Sequence, residues 1–118
     1  MKVLSLFDGI SCGMLALQRA GIPVECYDAF EIDKYAVTVS KRNFPVIVHH
    51  GNVYDGDFTQ FKGYDLLLGG SPCTYWSIAK KDREIDCDGE GFRLFQEYVR
   101  ALEESGCQYF LYENNYSV

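Results

Sequence analysis

Leu66-Leu67-Leu68-Gly69-Gly70-Ser71-Pro72-Cys73 is the stretch on which the reading of this chain turns. An apolar run with the character of a buried strand stops at two glycines and delivers a Pro-Cys pair beyond the strand's carboxyl end. In an open α/β sheet ligands sit at the carboxyl ends of the strands, so Cys73 is placed for chemistry as a reactive thiol. The glycines allow a tight turn and close backbone approach to a ligand, while Pro72 narrows the backbone and removes one amide donor. A buried structural thiol after a loop is the alternative, because free cysteine is among the most buried residue types.

On the amino-terminal side, Lys2 to Phe7 is a β-type run broken by Asp8-Gly9, and Met14 to Ala20 reads as a helix ending at Gly21. Pro23 opens a second β-type run, Val24 to Phe30, that ends in Glu31; Asp33 can cap a helix running to about Asn43 and stopped before Pro45. Val46-Ile47-Val48 predicts a third strand followed by Gly51-Asn52-Val53, a short helical turn is expected near Phe58 to Phe61, and Tyr64 to Leu68 is the fourth strand. On the carboxyl side, Thr74 to Gly91 is rich in charge and glycine without a clear period and is expected to be a mobile loop. Phe92 to Leu102 has the pattern of a strong amphipathic helix, and Tyr109 to Tyr112 that of a fifth strand ending in Glu113-Asn114-Asn115. Alternating β and α elements predict a parallel sheet with right-handed crossovers and helices on both faces, in a Rossmann-like order 3-2-1-4-5. That order sets the loops after the first and fourth strands on either side of the switch point, facing one crevice.

The 118 residues predict one domain over 1–118, and 47% apolar with 15% aromatic residues is a globular composition. No apolar run approaches the roughly 20 residues that span a bilayer, and no signal peptide is evident, so a cytoplasmic protein without membrane contact is expected. Five cysteines without a C-x-x-C pair indicate neither a disulfide framework nor a zinc site. His49 and His50 are expected at a strand end facing solvent, and no metal is expected. The net charge of -6 argues against a broadly basic nucleic-acid surface. Lys80, Lys81 and Arg83 could form a local basic patch, or be solvated charges balanced by Asp82, Glu84, Asp86 and Asp88.

Gly9-Ile10-Ser11-Cys12-Gly13 follows the first strand and opens the first helix, without the full G-x-G-x-x-G spacing of a dinucleotide site. Glu31, about 20 residues beyond the first glycine and at the end of the second strand, stands where a ribose hydroxyl pair is gripped. Asn52, just past the third strand, can both donate to and accept from an adenine edge. Each has an ordinary reading, as turn glycines, a solvent-facing glutamate and a turn asparagine. Their coincidence at strand ends points to an adenosine-containing cofactor.

These pieces together resemble the DNA cytosine-5 methyltransferase family, and they do so essentially end to end. The matching segments are Leu6-Phe7-Asp8-Gly9-Ile10-Ser11-Cys12-Gly13, Glu31-Ile32, Gly51-Asn52-Val53, Gly69-Gly70-Ser71-Pro72-Cys73, the Gly91 to Arg100 helix and Glu113-Asn114-Asn115, in the family's order and spacing. The resemblance implies a class I methyltransferase three-layer sandwich with S-adenosyl-L-methionine as methyl donor. Phe7, Asp8, Gly9, Ile10, Ser11, Glu31, Ile32, Asn52, Val53 and Pro72 would surround that donor. It implies Cys73 as the nucleophile, Glu113 as its partner on the base, and DNA with a flipped cytosine as substrate.

The departures are Asn52 for the family's usual aspartate, Thr74 for glutamine or asparagine, and Asn115 for valine. Family members continue with two more strands, a basic motif, a target-recognition region and a closing helix, so the chain resembles an amino-terminal half lacking the last strands. Three readings follow: a methyltransferase half completed by a second polypeptide; a truncated, catalytically inactive remnant that binds S-adenosyl-L-methionine; or a dinucleotide enzyme using Cys73 in redox chemistry. Self-association through the fifth-strand edge, with its apolar residues 109–112, is also expected.

Overall fold

The computed structural model describes residues 1–70 and 89–114; Pro72, Cys73, most of the 74–91 loop expectation, and Asn115 lie outside the described residues. The elements in chain order are β1 (Lys2–Leu6), α1 (Cys12–Arg19), β2 (Cys26–Phe30), α2 (Lys34–Asn43), β3 (Val48–His50), β4 (Leu66–Gly69), α3 (Glu90–Ser105) and β5 (Tyr109–Tyr112). Two 3-10 turns, Val53–Asp55 and Phe58–Phe61, connect β3 to β4. All strand pairs are parallel and the order is β3-β2-β1-β4-β5, as the alternation of elements predicts.

Alternation along β1 builds two cores. Leu4 and Leu6 face Phe30, Leu67, Leu94, Tyr98 and Ala101 on the side covered by α3, whereas Val3 faces Met14, Leu17, Tyr27, Ala29 and Ile47 on the side covered by α1. A central parallel strand is buried on both faces, which is why Lys2-Val3-Leu4-Ser5-Leu6 reads as a nearly continuous apolar run. The buried stripe of α3, Leu94, Tyr98, Ala101 and Ser105, follows helical spacing. Gly106 at φ 67° ends that helix by returning its N–H to the Leu102 carbonyl. The Tyr98 hydroxyl reaches the carbonyls of Leu67 at 3.2 Å and Leu111 at 3.0 Å, linking β4 to β5 from beneath.

Three expectations are corrected. β3 begins at Val48 rather than Val46, because residues 44–47 form a turn closed by the Ile47 N–H on the Phe44 carbonyl, with Ile47 buried. The histidines therefore lie within the sheet and are half-buried: His50 stacks on Phe30 and its Nε2 lies 2.9 Å from the buried Asp28 carboxylate, while His49 Nε2 lies 3.4 Å from the Ser40 hydroxyl. α3 starts at Glu90, so the end of the expected loop is a helix cap and first turn.

Candidate active site

The loop after β1 has a left-handed backbone at every second residue: Phe7 at φ 55°, Gly9 at φ 61° and Ser11 at φ 70°. Gly9 adopts this conformation freely, but for Phe7 and Ser11 it costs energy that surrounding contacts must offset. Asp8 is the center of those contacts. Its Oδ1 accepts from the Ser5 hydroxyl at 2.7 Å and the Tyr27 hydroxyl at 2.6 Å, and its Oδ2 accepts from the Ser11 hydroxyl. Ser11 also meets the Ser40 hydroxyl at 2.5 Å, which ties the loop to α2 and explains why this helix-preceding serine makes no side-chain cap. Burial, then the neighboring Asp8 charge, raises the Tyr27 pKa, so Tyr27 remains a donor. The strained loop is thus held from beneath by hydroxyls around one carboxylate.

Glu31 holds the same loop from the β2 side. Its Oε1 accepts from the Gly9 N–H at 2.8 Å, and its Oε2 accepts from the Ile32 and Asp33 N–H groups at 2.9 and 3.0 Å. A carboxylate offers about four acceptor positions, so about one, on Oε1, remains for a ligand hydroxyl. Beside Glu31 lies a cavity of about 170 Å³ lined by Phe7, Phe30, Glu31, Ile32, Gly51, Asn52, Val53, Tyr54, Glu90 and Leu94. The Asn52 Oδ1 accepts from the Tyr54 N–H at 3.0 Å and caps the following 3-10 turn. Arg100 on α3 fastens that turn, donating to the Val53 carbonyl at 2.9 Å and the Gly56 carbonyl at 2.8 Å. Glu97 and Glu104 hold its guanidinium, which lies over the Phe58 ring. An apolar slot with the oriented Glu31 carboxylate, the Glu90 carboxylate and the Asn52 amide at its wall fits a nucleoside, rings in the slot and a sugar hydroxyl on Glu31.

Phe7 also lines a second crevice, of about 200 Å³, with Ser5, Leu6, Asp8, Gly13, Leu68, Gly69, Gly70, Leu111 and Glu113. Here the chain leaving β4 meets the chain leaving β5: the Glu113 N–H donates to the Gly69 carbonyl at 2.9 Å. A Cβ on Gly70 would lie 2.2 Å from the Glu113 carbonyl oxygen and 2.9 Å from its Oε2, so only glycine fits against Glu113. Cys73 follows Gly70 by three positions in the sequence.

Phe7, Glu31, Ile32, Asn52 and Val53 therefore share one cavity, and Glu113 and Asp8 line the adjoining crevice. Gly9 joins the first group through its bond to Glu31. Ser11 is fully buried, which assigns it to shaping the loop, and Ile10 lies with Ser11, Cys12, Leu15, Asn43 and Phe44 along a separate hollow. Tyr54, Glu90, Leu94 and Arg100 were not singled out from the sequence as site residues; the apolar period of α3 could have flagged Leu94. Among the described residues no group of three or more His, Cys, Asp or Glu could hold a metal ion, and no helix is long and apolar enough to cross a membrane.

Sheet order and strand-end crevices define a Rossmann-like α/β protein of the methyltransferase type. The chain belongs to the C-5 cytosine-specific DNA methylase family, whose model matches residues 1–117. It is 36% identical over 116 residues to the orphan methyltransferase M.SPRI of Bacillus phage SPR, covering 97% of this chain and 26% of that protein. It is 34% identical to the Type II methyltransferase M.HgiCII of Herpetosiphon aurantiacus, covering 96% of this chain and 25% of that protein. The chain thus spans about a quarter of the length of these curated relatives. Its fold is similar to that of a DNMT2 variant from Spodoptera frugiperda, with a TM-score of 0.72 at 25% identity over 96% of this chain and 35% of that one. S. pombe Dnmt2 methyltransferase gives a TM-score of 0.70 at 22% identity over 97% of this chain and 36% of that one.

Proposed function

We propose that this chain contributes the cofactor-binding and nucleophile-bearing part of an enzyme that transfers a methyl group from S-adenosyl-L-methionine to carbon 5 of cytosine in DNA. The observation that carries this reading is the Glu31 carboxylate, oriented by three amides at the wall of an apolar cavity and directly bonded to the strained loop after β1. Glu31 would take a ribose hydroxyl, and Phe7, Ile32 and Val53 would enclose the adenine. Asn52, whose Oδ1 is engaged by the Tyr54 N–H, would present its amide nitrogen to a ring nitrogen. Pro72 would close the same site. When bound, the cofactor supplies a methyl carbon activated by its sulfonium.

Carbon 5 of cytosine is a weak nucleophile until the ring gains electron density. The Cys73 thiolate adds to carbon 6, and Glu113 hydrogen-bonds ring nitrogen 3 and the exocyclic amine, stabilizing the charge that builds in the ring. Carbon 5 would then take the methyl group as the S–CH3 bond breaks and a neutral thioether departs; transfer of the carbon 5 proton to a base and departure of Cys73 as thiolate would restore aromaticity. The base must leave its stack to reach the thiol, at a cost of a few kcal/mol. In any preparation with wild-type turnover, C73S abolishes methyl transfer to cytosine-containing DNA while cofactor affinity stays within about twofold. Methyl transfer retained by C73S overturns the covalent mechanism.

A partner for β5 is part of the same reading. Tyr109, Phe110 and Leu111 are 55, 60 and 62% exposed on a strand paired on one side by β4. Such an edge favors pairing with a second polypeptide or a second copy. Sedimentation coefficients that rise with concentration support self-association; a constant monomer value across the range contradicts it.

A further inference from the structure

The cofactor cavity has two walls of different origin. One comes from the strand ends and the turn after β3; the other is the first turn of α3, through Glu90 and Leu94. The Tyr54 hydroxyl donates to Glu90 Oε1 at 2.7 Å, joining residues 36 positions apart that both line the cavity. Glu90 suits this role. It sits in the first turn of α3, where the helix dipole favors a negative charge, and Arg93 Nη1 lies 4.0 Å from its other oxygen. Partial burial and the Glu90 hydrogen bond push the Tyr54 pKa up to about 12, so the phenol remains a donor at working pH.

The same turn is fastened a second time by Arg100 on the Val53 and Gly56 carbonyls. Ten residues separate Arg100 from Glu90, which is about 15 Å along the helix. The turn's backbone is therefore anchored without the Tyr54 hydroxyl, and the Tyr54–Glu90 bond adds only a connection at the cavity's rim. Tyr54 is 42% exposed, as a rim residue should be.

We propose that Tyr54 and Glu90 form a clasp that retains the adenosine end of the cofactor, acting as positioning residues rather than as groups that touch the reacting atoms. The clasp rests on the cofactor reading above. It keeps the two walls at a fixed spacing around the bound ring, so its loss accelerates escape of the ligand while the Arg100 anchor keeps the turn folded.

The test compares the 118-residue wild type with Y54F, E90Q, E90A and Y54F/E90A, using S-adenosyl-L-methionine and 5′-methylthioadenosine as probes and E31A as the control. One hydrogen bond at a solvent-accessible rim predicts that Y54F releases both probes about fivefold faster, by the same factor for each. Chemical unfolding remains a single cooperative transition, so the variant is compared as a folded protein. E90Q keeps an acceptor oxygen and stays within about twofold of wild type, whereas E90A matches Y54F and the double variant is no worse than either single one. Wild-type release rates in Y54F, with E31A binding lost, overturn the clasp alone. So does a Y54F effect on S-adenosyl-L-methionine but not on methylthioadenosine, or additivity in the double variant. Failure of both probes to bind the folded wild type overturns the cofactor reading and the clasp with it.

Discussion

The two flanks of the sheet are built on opposite principles. Along β1 and β2 and the loops that follow them, three carboxylates are satisfied within the fold: Asp8 holds three hydroxyls, Glu31 three amides, and the buried Asp28 accepts from the Tyr64 hydroxyl at 2.5 Å and sits beside His50. At β5 three successive strand residues, Tyr109, Phe110 and Leu111, are each more than half exposed, whereas the most exposed apolar residues of the first flank, Ile32, Tyr35 and Val46, lie outside its strands. The first flank borders the proposed cofactor cavity; the second carries the β5 edge for which a partner is proposed. Cofactor binding and base handling should therefore respond to different substitutions, with Phe7 and the crevice beside it as the common boundary.

Gly70→Val should separate the flanks most strongly. Its side chain would collide with the Glu113 backbone at 2.2 Å, displacing the Glu113 carboxylate. A displacement of about 1 Å can cost about 100-fold in rate, so methyl transfer should fall by at least that factor while cofactor affinity changes less than about threefold. Equal losses of both would break the comparison. Asp8→Ala comes next, because it removes the acceptor shared by the Ser5, Ser11 and Tyr27 hydroxyls, leaving Ser11 its Ser40 contact, and removes what offsets the strained loop. It should cost about 3 kcal/mol of stability by urea unfolding and weaken cofactor binding. A loss below about 1 kcal/mol would show that the loop does not depend on this carboxylate.

Arg100→Lys keeps the charge but cannot reach two carbonyls and two carboxylates in a planar fork. A smaller loss of about 1 to 2 kcal/mol is expected, together with weaker cofactor binding as the turn bearing Asn52 and Val53 loosens. The smallest effect is pH-dependent. Burial lowers the His49 pKa below 6.5, reinforced by Lys41 and His50 and opposed by Asp8, and its Nδ1 is buried without a hydrogen-bond partner among the described residues. The unfolded chain then takes up this proton before the folded one. The His49 contribution is present above pH 6.5 and is lost as pH falls toward the lower folded pKa. His49→Gln should flatten that part of the stability profile, and an unchanged slope would remove His49 as its source.

What could be read in advance followed from local chemistry. The β1 run, the Asp33 cap, the glycine turn after β1 and the α3 stripe each carry their signal within a few residues, and the alternation of elements fixed the order of the sheet. Glu31 stood out because its spacing from Gly9 is itself a motif. The Tyr54–Glu90 bond, the Arg100 anchor and the Tyr27–Asp8–Ser11–Ser40 network were not visible, because each joins residues far apart in sequence whose types are ordinary surface or turn residues. The histidine pair was misplaced for a related reason. Val46-Ile47-Val48 has strong β character, yet tertiary burial of Ile47 in the turn moved the strand two residues onward.

Glu31 is proposed as the anchor of a cofactor site already formed in this chain. Calorimetric titration of the purified chain with S-adenosyl-L-methionine, with Glu31→Ala alongside, tests it most directly. Saturable binding in the micromolar range by wild type, lost in a Glu31→Ala variant that remains folded, is the expected result. A folded wild type that takes up no cofactor, or a Glu31→Ala variant that binds as tightly, would contradict it.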